Sequence, residues 1–93
     1  MTSSLVASFD ASAPWCVNDQ VSLRDESFGA LAYHHGTRRL VFLKSPELVA
    51  LVRRLGEFDS ADAAVTASVP REQHERYLRA LASLHDSQIL RGR

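Results

Sequence analysis

The chain has 93 residues, 45% of them hydrophobic by the AVILMFWYC count, enough for the core of one small domain and too few for two. Four glycines, three prolines and one cysteine exclude a collagenous, low-complexity or disulfide-stapled protein. Eleven Lys and Arg balance eleven Asp and Glu, so no net charge draws the chain onto nucleic acid or an anionic membrane.

That balance is uneven along the chain. In residues 1–37, Asp10, Asp19, Asp25 and Glu26 stand against Arg24 alone, a local charge of −3. Residues 38–54 carry Arg38, Arg39, Lys44, Arg53 and Arg54 against Glu47, a local charge of +4, and residues 55–93 come to −1. The basic segment reads either as a solvated rim or as a landing place for an acidic partner. Cys16 has no second cysteine to pair with, which fits a reducing compartment and a cytoplasmic protein. No charged segment followed by an apolar run opens the sequence, and no run of eighteen apolar residues occurs, so neither export nor a membrane span is expected.

Residues 1–14, mostly small and polar, read as a flexible tail with Phe9 and Trp15 as anchors. A single domain is expected over 15–90. Val21 and Leu23 alternate with Ser22 and Arg24 as in a half-buried strand, and Asp25-Glu26-Ser27 interrupts it with turn residues. Phe28 to His35 is a second strand, closed by a reversal at Gly36-Thr37. Arg39 to Lys44 is a third, but Leu40, Val41, Phe42 and Leu43 do not alternate, so both faces of that strand need cover. Ser45-Pro46 starts a helix whose stripe is Leu48, Leu51, Val52 and Leu55, with Gly56 as its stop. Asp59-Ser60 caps a second helix from Ala61 to about Ala67, and Pro70 opens a third with Tyr77, Leu78, Leu81 and Leu84 at helical spacing. The fold is expected to end at Gln88-Ile89-Leu90, with 91–93 frayed. The class is α+β: a three-stranded antiparallel sheet followed by three helices that cover one face.

No arrangement of residues carries catalysis. His34 and His35 are adjacent on a strand and point to opposite faces, so they do not chelate one metal ion. Cys16 lacks a neighbour that would lower its pKa, the glycines are scattered, and Asp25-Glu26 reads as a solvated turn. Arg71, Arg76 and Arg79 interleave with Glu72 and Glu75 on the third helix, which suits surface ion pairing better than phosphate binding. A winged-helix nucleic-acid binder is nonetheless the alternative function.

What remains is the third strand, whose outer margin in a meander has no partner. The residues leave two accounts open. Either the margin is covered by the chain itself or a second copy, or it receives a peptide strand in a groove walled by Tyr77, Ala80 and Leu84 of the third helix. Self-pairing into a weak homodimer through this strand is also expected.

The run from Phe28 to Pro46, FGALAYHHGTRRLVFLKSP, closely resembles the peptide chaperones of mycofactocin biosynthesis, a branch of the PqqD-like recognition elements for ribosomally made, post-translationally modified peptides. Pro14-Trp15 and Val21-Ser22-Leu23-Arg24 join the likeness, which extends from about Phe9 to Leu90. The resemblance implies a winged-helix-like fold and a non-enzymatic role: binding the leader of a precursor peptide and delivering it to a radical S-adenosylmethionine maturase. It implies no cofactor in this chain, the iron–sulfur clusters and S-adenosylmethionine belonging to the partner enzyme. The leader would add beside Arg39, Leu40, Val41, Phe42, Leu43 and Lys44. From periodicity, Tyr77, Ala80, Leu81 and Leu84 are the helix contacts, and Arg38, Arg53 and Arg54 steer an acidic peptide.

Overall fold

The structure, a computed structural model, describes residues 9–93. A short strand not foreseen from the sequence, β1 (Trp15–Val17), comes first. The three expected strands follow as β2 (Val21–Glu26), β3 (Gly29–His34) and β4 (Leu40–Leu43), hydrogen-bonded in the order β2-β3-β4. Both pairings are antiparallel, with Leu23 opposite Ala32 and Ala32 opposite Val41. Three helices come next, α1 (Pro46–Arg54), α2 (Ala61–Ser68) and α3 (His74–Asp86), and a last strand, β5 (Leu90–Gly92), returns to pair with β1. The α+β class with one three-stranded antiparallel sheet and three helices is as predicted, and the order is compatible with a winged-helix arrangement.

Alternation divides the sheet into two faces. Ala30, Ala32, Val41 and Leu43 share the inner one, where Ala30, Ala32 and Leu43 are wholly buried. The small alanines let α1 approach β3, and Val49, Leu51 and Val52 close the contact with Leu55 beyond them. Ala61, Ala64 and Val65 of α2 and Tyr77, Leu81 and Leu84 of α3 extend the same core. Val49 takes the place expected for Leu48, which is left half-buried at the start of α1. The caps are the expected ones: Ser45 Oγ accepts from the Leu48 amide at 2.9 Å, and Ser60 Oγ from the Ala63 amide at 3.0 Å.

Local expectations fail in three places. Glu26 pairs with Gly29, so β2 runs through Asp25-Glu26 and the reversal falls on Ser27-Phe28. Gly29 makes this tight turn feasible with a φ of 151°, a conformation that side chains resist. Gly56 is not a left-handed stop; α1 ends at Arg54 and tightens into a 3₁₀ turn over Leu55–Glu57. Arg91 and Gly92 do not fray, because β1 supplies strand partners and the Arg93 guanidinium donates to the Phe58 carbonyl at 2.7 Å.

At the other end, residues 1–8 of the expected tail lie outside the described residues. Phe9 stacks on Trp15 with ring centroids 5.4 Å apart, and the Ala61 and Asp62 amides at the start of α2 donate to the Ala13 and Ala11 carbonyls. Ser12 donates its hydroxyl and its amide to Asp10, which holds that carboxyl below the usual carboxylate range.

The hairpin between β3 and β4 is organised by one side chain. His34 is 4% exposed, and its Nδ1 accepts from the Gly36 amide at 3.0 Å and the Thr37 amide at 3.1 Å. Arg38 closes the reversal in the left-handed region, with a φ of 64°.

Candidate peptide-binding site

β4 stands at the margin of its sheet, paired with β3 on one side and with no strand on the other among the described residues. The register decides which backbone groups this leaves open. The His34 amide donates to the Arg39 carbonyl at 2.9 Å, so the backbone of Arg39 faces β3. Antiparallel alternation then turns the polar groups of Val41 and Leu43 toward β3 and those of Leu40 and Phe42 toward the margin. The side chains of Leu40 and Phe42 stand on the outer face, 52% and 55% exposed. Val41 and Leu43 point the other way, Leu43 into the core.

Beyond the end of β4 lies a cleft of about 180 Å³. Lys44, Ser45 and Leu48 form one wall, and Arg76, Tyr77 and Ala80 of α3 form the other. Leu48, Tyr77 and Ala80 supply apolar surface to it, and Lys44 and Arg76 bring two cations, neither within ion-pair distance of a carboxylate among the described residues. On the outer face a second hollow, about 340 Å³, is bounded by Phe28, Phe42 and Lys44. Phe28 meets Phe42 edge to face, with centroids 5.9 Å apart and planes at 86°. Lys44 therefore borders both hollows.

The sequence-predicted site residues divide accordingly. Lys44, Tyr77 and Ala80 come together in the cleft; Leu40 and Phe42 lie along the margin with Arg38 and Arg39 at its start. Leu81 is wholly buried and Leu84 is 4% exposed, so both fill the core behind the cleft rather than line it. Arg53 donates to Asp25 at 2.9 Å, and Arg54 sits 3.6 Å from Glu57 and over the Phe58 ring. Their charges are matched within the chain, whereas Arg38, Arg39 and Lys44 have no such partner among the described residues. Sequence reading missed Arg76, Leu48 and Phe28. Arg76 was legible in part, since it precedes Ala80 by four residues on one helix face.

The other marked side chains are accounted for locally. His35 bonds Ser22 Oγ at 2.7 Å, His74 Nε2 lies 2.9 Å from the Val69 carbonyl, and His85 packs edge-on against Trp15. Among the described residues no three His, Cys, Asp or Glu side chains are grouped to hold a metal. No helix there is long and apolar enough to cross a membrane.

Fold and site together define the class: a small α+β domain with an open strand margin, exposed apolar side chains on the outer face of its sheet and a cleft lined in part by cations. The family model of the peptide chaperone MftB family matches residues 14–91. The peptide chaperone MftB of Mycobacterium ulcerans is 43% identical over 83 residues, covering 88% of this chain and 76% of that protein. Those of Mycolicibacterium smegmatis and Mycobacterium tuberculosis are 42% and 41% identical over the same length, covering 81% and 76% of their own chains. No solved structure matches. The chain belongs to the peptide chaperone MftB family, a non-catalytic family, and the resemblance carried by residues 28–46 is borne out.

Proposed function

We propose that this chain is a peptide chaperone of mycofactocin biosynthesis that holds the leader of a ribosomally made precursor as an added strand on β4 and presents it to a radical S-adenosylmethionine maturase. The observation that carries this reading is the open margin of β4. There the N–H and C=O groups of Leu40 and Phe42 form a ready template for an extended chain. Family membership supports the peptide as the guest. The maturase supplies the iron–sulfur and S-adenosylmethionine chemistry, and the chaperone supplies tethering. A short flexible connection between leader and core raises the core's effective concentration at the enzyme to the mM range (~mM).

Ordering the leader costs about 2–5 kcal/mol of the gross interaction, so affinity is moderate and release stays fast. Lys44, Arg76, Arg38 and Arg39 favour an acidic guest and chiefly quicken its encounter. A second copy of the chain competes for the same margin, pairing β4 with β4 in a weak homodimer that the peptide dissociates.

The test is titration calorimetry with the mycofactocin precursor of the same genome, alone and with the maturase. Saturable heat that disappears in Leu40→Pro, which deletes one margin donor, is the expected result. Absence of heat under both conditions overturns the proposal.

A further inference from the structure

We propose that the guest strand is read on both of its faces, and that Phe28, Leu40 and Phe42 form a specificity shelf for apolar side chains at every second leader position. The inference rests on the strand-addition reading and extends it to what the leader must look like. A strand laid along β4 alternates its side chains between the two faces of the sheet. Those pointing inward approach the cleft with Lys44, Leu48, Arg76 and Tyr77. Those pointing outward come to rest beside Leu40 and Phe42, whose side chains stand exposed on the outer face.

The exposed large hydrophobic residues among those described are Phe28, Leu40 and Phe42, and all of them lie on this one side of the sheet. Phe28 is at the tip of the β2–β3 reversal and takes no part in the core cluster, so packing does not account for a phenylalanine there. Its ring stands edge-on to Phe42 and makes a corner whose hollow, about 340 Å³, is large enough for an aromatic or branched side chain. The hollow adjoins the margin through Phe42, so a guest that occupies the margin covers it. Arg76, which lines the cleft and not the outer hollow, gives the inward face the opposite preference. The leader is thus a segment in which apolar residues facing the shelf alternate with residues facing the cationic cleft, at least one of these a carboxylate.

The probe is the fluorescein-labelled leader of the same genome's mycofactocin precursor, with each leader residue replaced singly by aspartate and binding followed by anisotropy. With the unaltered chaperone, losses of about tenfold should recur at every second position of the docked segment. In the double variant Phe28→Ser, Phe42→Thr those losses should shrink to about twofold, while effects in the opposite phase persist, because contacting pairs couple and separated ones do not. Both replaced side chains are exposed, so the fold survives, which circular dichroism checks. Phe28→Leu in place of Phe28→Ser should restore part of the pattern. Leader binding unchanged in the double variant, or aspartate losses without the two-residue period, overturns the shelf. In that case continued sensitivity to Leu40→Pro keeps strand addition standing. An unaltered chain that fails to bind the leader removes both readings together.

Discussion

A β-carbon placed on Gly29 would overlap the carbonyl oxygen of Leu43, the residue that ends β4. This close approach lets the β2–β3 reversal sit against the exit of β4, so that Phe28 reaches Phe42 and Ser45 begins α1 where the cleft opens. Gly29→Ala meets both the overlap and an unfavourable φ. It should lower stability by about 2–3 kcal/mol, and thermal unfolding of a domain this size should then shift down by about 10–20 °C.

Proline substitutions along β4 separate its two hydrogen-bonding edges. At Leu40 the lost donor faces the margin, so leader affinity should fall at least about tenfold while the melting temperature changes little. At Val41 the lost donor faces Ala32, so the loss should appear first in stability, about 2–3 kcal/mol by urea unfolding. Equal effects of the two variants on affinity and stability would contradict the derived register.

Charge should matter where it is unmatched. Lys44→Ala and Arg76→Ala should each weaken leader binding about threefold to tenfold and flatten its salt dependence, mostly through the association rate. Arg53→Ala removes a cation already held by Asp25, and stopped-flow association should stay within about twofold of the unaltered chain.

His34 ties the hairpin that launches β4. In His34→Ala the Gly36 and Thr37 amides lose their acceptor and a buried ring leaves a gap. Stability should drop by about 2 kcal/mol, and hydrogen exchange should quicken at those two amides before it does so in β2.

Truncation after Leu90 tests the small β1–β5 pair. It removes the Arg91 and Gly92 pairings with Cys16 and Trp15 and the Arg93 bond to Phe58. A stability loss of about 1–2 kcal/mol is expected with leader binding unchanged, measured by chemical unfolding and anisotropy.

Much of this architecture was written locally. Alternation at Val21–Arg24, Ser45-Pro46 as a helix start and the stripe through Leu51, Val52 and Leu55 each follow from forces acting within a few residues, so the sequence determined the three strands of the main sheet, the caps and the helix order by itself. It also carried the family, because the run from Phe28 to Pro46 is long and unusual. Tertiary structure decided the rest. Whether Leu81 or Arg76 faces the cleft depends on how α3 rolls against α2, and a stripe of period 3.6 leaves that roll uncertain by a residue. The β1–β5 pair joins segments more than seventy residues apart, so neither strand carries its partner in its own neighbourhood. The outer shelf arises only when a turn residue, Phe28, is folded over an edge residue, Phe42. That contact exists because the backbone at Gly29 comes closer to Leu43 than any side chain would allow.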